Sequence, residues 1–401
     1  MATLHPFRAV RPTPEAVAEV ASVPYDVINA SEARELARGN DRSFLHVIRP
    51  EINLEADVDE HDDRVYAEGA RRLAEFAEAD YTVEEDEPAV YLYRLVMNGH
   101  EQTGIFGCVS VDDYDADVIL KHELTRPAKE DDRTRHIVEQ RAHAEPVMLT
   151  FKGDDRVASI TEAELAGSAL YDFEASDGVR HTIWRVQDRD ALVDAFGEIA
   201  AFYVADGHHR CKAASRAAEQ LSGTDASDEV RYFPAVLFPI SDLHILPYNR
   251  IVRRLPGGAD VFLEQLKKRL TVEKDAAPQP SKKGDVSLYL GGEWFGVSLP
   301  PTAGERLDAE LDVARLGEFI LEPLLGISDP RRDANIDFVG GIRGTAALKR
   351  AVDSGAAALG ISMYPTSIEE LVAVSDAGLL MPPKSTWFEP KLRSGLLVHR
   401  F

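Results

Sequence analysis

The sequence predicts an α+β fold, and three observations carry that prediction. Segments with helical apolar spacing, such as DRVYAEGARRLAEFAEAD, alternate with strand-like runs such as AVYLYRLVM and FPAVLFPI. The alternation lacks the strict strand-helix-strand rhythm of a doubly wound parallel sheet. Of the 401 residues, 44% are hydrophobic and 28% charged, enough to bury a substantial core in two or three domains.

From the N-terminus, VPYDVINASE reads as a turn into a helix: Pro24 fixes the chain, Asp26 bonds the turn, and Ser31 caps a helix that closes at Gly39. After the amphipathic helix DRVYAEGARRLAEFAEAD, AVYLYRLVM and TGIFGCVSV form a hairpin across NGHEQ. From Ala116, the short run DVIL enters KHELTRPAKEDDRTRHIVEQRAHA, whose charge density marks a loop leading into a helix rather than a core segment. Strands follow in EPVMLTF, ALYDFEA and HTIWRVQ, and ALVDAFGEIA is helical. YVADGHHRCKAASRAAEQL is a strand running into an alanine-rich helix, and FPAVLFPI and LHILPYNRIV are buried segments. PQPSKKG, from Pro278 to Gly284, reads as a loop or linker, and SLYLGGEWFGVSL as a hairpin with a Gly-Gly turn. These signals divide the chain into regions 1–115, 116–277 and 285–401.

A net charge of -24 repels nucleic-acid phosphate, and no long basic stretch opposes it, so no nucleic-acid partner is expected. No apolar run reaches the roughly 20 residues of a membrane span. The opening MATLHPFRAVRP lacks the apolar core of a signal peptide, so a cytoplasmic location is expected, with no membrane partner. Cys108 and Cys211 sit in an apolar run and in a helix, which predicts buried thiols rather than a disulfide or a zinc site.

Chemistry concentrates at Asp206, Gly207, His208, His209 and Arg210, at the strand-to-helix junction, where the first helical N–H groups lack partners. Arg210 offers a planar fork for phosphate, Gly207 lets the backbone come close, the histidines add donors, and Asp206 is a carboxylate able to contact a metal. The competing reading is a helix cap followed by solvated histidines. A second group, Lys121, His122, Glu123, Thr125 and Arg126, reads either as a loop carrying a general base, Glu123, or as surface ion pairs. Further on, SDPRRDANIDFVGGIRG holds Asp329, Arg331, Asp333 and Asp337. The loop MPPKSTWFEPKLRSG crowds Lys384, Ser385, Thr386, Trp387, Glu389, Lys391 and Arg393 between prolines and a final strand, the composition of a binding loop or of a buried ion-pair corner.

PYDVI, SFLHVIRPE, YLYRL, QTGIFGCVSVDDY, KHELTR, KEDDR, ADGHHR, AVLFP, LPYNR, DFVGGIRG and MPPKSTWFEPKLRSGL, in that order from Pro24 to Phe401, resemble domain-of-unknown-function family 1015. The central region is similar to the ParB and sulfiredoxin superfamily of nucleotide-binding domains, with N-terminal and C-terminal α/β additions. Its DGHHR motif, preceded by a His-Glu pair, looks like that of the free serine kinases. The resemblance implies phosphoryl transfer from a nucleotide, ATP or ADP, to the hydroxyl of free L-serine, with Mg2+ as cofactor. It maps the base onto Glu123, the metal contact onto Asp206, phosphate binding onto Gly207, His208, His209 and Arg210, and catalytic roles onto Asp206 and His208. A long insert separates Glu123 from Asp206, a departure from the kinase pattern. From its composition, the loop with Lys384, Ser385, Thr386, Trp387 and Arg393 is expected to close over the amino-acid substrate. The alternatives are a nucleotide-binding regulatory module without kinase activity, and a phosphohydrolase or nuclease that gives the phosphoryl group to water.

Overall fold

The computed structural model describes residues 2–302 and 306–401. Helices and mixed sheets both build it, so the α+β class holds. The chain forms two compact units. The first contains the chain up to Lys121, Thr125–Leu243 and Pro390–Phe401, and the second contains His122–Leu124 and His244–Glu389. Among the described residues no helix is long and apolar enough to cross a membrane.

In the first unit a nine-stranded sheet runs in the order Ile119–Leu120, Phe202–Asp206, Val147–Phe151, Tyr232–Pro239, His100–Ser110, Tyr91–Met97, Arg180–Arg185, Tyr171–Glu174, with Leu4–His5 added on His100–Ser110. Two of its pairings are parallel, Phe202–Asp206 on Ile119–Leu120 and Val147–Phe151 on Tyr232–Pro239; the others are antiparallel. Strands on either side of residue 115 therefore share one sheet, and no body ends there. The predicted hairpin turns at Asn98 and Gly99, with φ of 51° and 81°. Positive φ at both positions reverses the chain in two residues, so His100, Glu101 and Gln102 are strand rather than loop.

The helix after the PYDVI turn spans Ala30–Leu36, and its N-cap is Asn29, not Ser31. The Asn29 side chain accepts the Glu32 N–H while Glu32 reaches back to the Asn29 N–H, a capping box that leaves Ser31 inside the first turn. The KEDDR segment is helical, Pro127–Gln140, with proline in the first turn. Its inner face is not apolar: Asp132, Arg133, His136 and Gln140 are all buried. Such a face needs partners from elsewhere in the chain. Tyr66 donates to Asp132 at 3.1 Å, Arg133 lies 4.0 Å over the Tyr25 ring, and Gln140 donates to the Val47 carbonyl.

The second unit is built on a six-stranded antiparallel sheet, Thr271–Lys274, Glu293–Ser298, Asp285–Leu290, Leu359–Met363, Asn249–Val252, Ile336–Val339. Its core includes Val252, Leu266, Val286, Leu288, Leu316 and Leu359. The Pro278–Gly284 stretch does not separate domains, because Thr271–Lys274 pairs with Glu293–Ser298 across it. The Gly-Gly hairpin forms as predicted, with φ of 59° at Gly291 and 90° at Gly292. A short ribbon joins His244–Leu246 to Trp387–Glu389.

Candidate functional site

The strand Phe202–Asp206 carries a bulge just before the site: Val204 opposes Leu149, yet Asp206 opposes Met148, so Ala205 is the extra residue. A bulge re-aims the side chain that follows it, here Asp206. Gly207 then turns the chain with φ 104° and becomes the N-cap of the helix His208–Leu221, with no side-chain cap. The φ of 104° favours glycine, and a Cβ there would sit 3.0 Å from Val147 Cγ1 and 3.2 Å from the Arg210 guanidinium, so those side chains would have to give by a few tenths of an ångström. Cys211, Ala214, Ala218 and Leu221 press the helix onto the sheet core. Its N-terminus, unblocked by a capping side chain, stands where an anion would be favoured.

Arg210 does not project from this terminus. It is buried, donates to the Pro146 carbonyl and, at 3.0 Å, to Asp206. Burial works against its charge, but Asp26, Asp206 and Glu145 outweigh that and hold its pKa above the ordinary arginine value. The Arg210 guanidinium is thus turned inward, onto Asp206 and the Pro146 carbonyl. On the other side of Asp206 stands Lys391, 3.4 Å from Oδ1 and only 9% exposed. His209 Nε2 accepts the backbone N–H of Arg126, the N-cap residue of the Pro127–Gln140 helix, at 3.1 Å. That contact ties the two helix starts together. His208 is buried at the first helical position.

Behind Arg210 a small cavity of about 40 Å³ is lined in part by Arg133, His136, Glu145 and Arg210. Burial raises the Glu145 carboxyl above its usual value despite the nearby Arg210 and Arg133. Its Oε1 accepts from the Tyr25 N–H at 3.2 Å and the Ser394 hydroxyl at 3.3 Å. Burial likewise pushes the Cys211 thiol up to about 12, which makes it inert. Glu145 and Lys391 join the surroundings of Asp206 and Arg210 without a role implied by the motifs. Lys391 could have been read from the crowded KLR of the final loop, while Glu145 looked like the polar start of a strand.

Lys121 fits the surface reading, with an ion pair to Asp117 at 2.6 Å and the Tyr114 ring 4.3 Å away. Glu123 lies in the second unit, half-buried, one residue after a buried His122 whose carbonyl accepts the Met381 N–H at 2.7 Å. Lys384, Ser385, Thr386 and Trp387 are in the second unit too, whereas Arg393 is in the first. Ser385 is buried, its hydroxyl donating to Pro382 and its carbonyl accepting from Thr366. Trp387 donates to Glu389 at 2.8 Å. Arg393, 4% exposed, pairs with Asp177. Much of this loop is therefore an internally bonded corner. Among the described residues no group of three His, Cys, Asp or Glu side chains could hold a metal ion.

No curated protein matches the chain. Among solved structures, a free serine kinase in complex with AMP aligns at 13% identity and a TM-score of 0.38, over 71% of this chain and 86% of that one. SbnI with C-terminal truncation from Staphylococcus aureus aligns at 14% and 0.39, over 73% and 87%, and a conserved hypothetical protein from Pyrococcus furiosus at 13% and 0.37, over 73% and 95%. Residues 4–314 match the family described as "Protein of unknown function (DUF1015)". With well over half of its length matched, the chain belongs to the DUF1015 family.

Proposed function

We propose that this protein transfers a phosphoryl group from a nucleotide to the hydroxyl of free L-serine, giving O-phosphoserine. The observation that supports it most is the junction at Gly207, an uncapped helix start next to a carboxylate flanked by Arg210 and Lys391. Phosphoryl transfer asks mainly for positioning, positive charge on the phosphates and a base for the hydroxyl proton. The amides of His208, His209 and Arg210 receive the phosphates, Lys391 neutralises charge beside them, and Arg210 holds Asp206 in place. Glu123, assigned by motif order, accepts the serine proton as the new O–P bond forms and the bond to the departing nucleotide breaks. Asp206 also fits a single carboxylate contact to a magnesium ion carried on the phosphates, with Lys391 giving up its 3.4 Å contact. The ion would supply charge neutralisation on those phosphates.

Incubation with serine, magnesium and ATP or ADP should yield phosphoserine, seen by mass, in proportion to nucleotide consumed. Glu123→Gln should lower turnover by roughly 10²–10⁴-fold with nucleotide affinity nearly unchanged. Phosphate release with no dependence on serine would replace the kinase with a hydrolase. Nucleotide binding without turnover would leave a regulatory module.

A further inference from the structure

The second unit holds a cavity of about 560 Å³, within the range of small-molecule pockets. One wall is the segment from Val313 to Glu322, another includes Ile327, Phe338 and the Pro382–Pro383 turn. Into this cavity faces Arg250, 2% exposed and, among the described residues, one of the largest fully buried side chains. Its guanidinium donates to the carbonyls of Tyr248 and, at 2.9 Å, Lys384, with the Phe338 ring 5.6 Å away. Carbonyls satisfy some of its N–H groups but do not neutralise its charge. Among the described residues the only titratable neighbour that shifts it is Tyr248, and burial pushes its pKa down to about 10. A buried guanidinium with no carboxylate against it is costly unless an anion completes it.

We propose that this cavity binds a small organic monocarboxylate with an apolar body, its carboxylate on Arg250. The planar fork of arginine matches a carboxylate in two-point contact. Leu321, Ile327 and Phe338 supply an apolar lining for the body. Glu318, Glu322 and Asp329 line the same cavity, and Arg331 is held by Asp329 at 2.9 Å. That negative surround disfavours a multiply charged phosphate and favours a ligand with one negative charge. The proposal stands on the second unit alone and is independent of the kinase reading.

Calorimetric titration of the full chain with benzoate, phenylpropionate and isocaproate, their uncharged amides, and inorganic phosphate tests it. At least one carboxylate should bind saturably, at least about tenfold tighter than its amide and than phosphate. Arg250→Met should weaken that binding by at least about tenfold. Because Arg250 also bonds the Lys384 loop, a second variant leaves it intact. Gly317 lines the cavity in helical conformation, with φ -57°, and nothing lies within 4 Å of where its Cβ would point. Gly317→Leu therefore folds, fills the cavity and should weaken binding to a similar degree. The proposal is overturned if none of the three carboxylates binds, if amide or phosphate binds as tightly, or if Gly317→Leu binds like the parent chain.

Discussion

At Arg210 the difference between a ligand fork and an interior anchor becomes measurable. An exposed phosphate-binding arginine can be truncated with little loss of stability. Arg210 instead lies among Asp206, Glu145 and Asp26, all of which raise its pKa, and it reaches the Pro146 carbonyl. Arg210→Ala should thus destabilise the first unit by about 3–5 kcal/mol, because it leaves a buried Glu145 facing fewer cations. Urea unfolding checks this, and a loss of a few tenths would return Arg210 to the ligand side. The i to i+4 spacing of Asp206 and Arg210 already permitted the pairing in sequence. What spacing could not show was which way the guanidinium turned, since that depends on Glu145, Asp26 and Pro146, far away along the chain.

Among the elements, those governed by neighbours in sequence were the readable ones. Strand alternation placed both hairpins and the Gly-Gly turn of one, though the other turns at Asn98 and Gly99 rather than across NGHEQ, and the DGHHR junction fell at the strand end as its composition required. The helix Ala30–Leu36 was placed, but its cap was assigned two residues late, because Ser31 and Asn29 are both good N-caps and the capping-box partner decides. Asn29→Ala should cost about 1 kcal/mol and Ser31→Ala only a few tenths, compared by urea midpoints. Equal losses would contradict the box. The Pro127–Gln140 helix resisted in a different way. Its charge pattern signals a solvated helix, and only partners on other segments, such as Tyr66, Tyr25 and Glu145, turn its polar face inward. Composition breaks at loops, whereas sheet pairing crosses them, as Thr271–Lys274 pairs with Glu293–Ser298 across Pro278–Gly284.

Across the whole molecule, buried histidines set an acid limit. His136 is held well below its ordinary value by burial and then by Arg133. Burial lowers His143 and His181 to about 3 each, helped by His399 and by Arg393 respectively. Below the ordinary 6.5 the unfolded chain binds protons at these rings and the folded chain does not, so stability falls as pH drops from 6.5 toward 3. Each ring contributes a slope of about 1.4 kcal/mol per pH unit. Glu145 acts in the opposite sense: its raised pKa means the folded chain takes a proton first, and its stabilising contribution grows as pH falls toward 4.5. Burial also lowers His399, which adds to the histidine slope while Glu145 subtracts from it, and the net stability should fall as pH drops below 6.5. Hydrogen exchange in the strand Arg180–Arg185, where His181 meets the Tyr93 hydroxyl at 2.8 Å, reads it directly. Protection there, corrected for the pH dependence of intrinsic amide exchange, should fall between pH 6.5 and 4.5, and replacing His181 with phenylalanine should remove about 1.4 kcal/mol per pH unit from the slope. A flat profile in the parent chain would mean that these rings take up their protons without unfolding, and that burial is not what sets their charge.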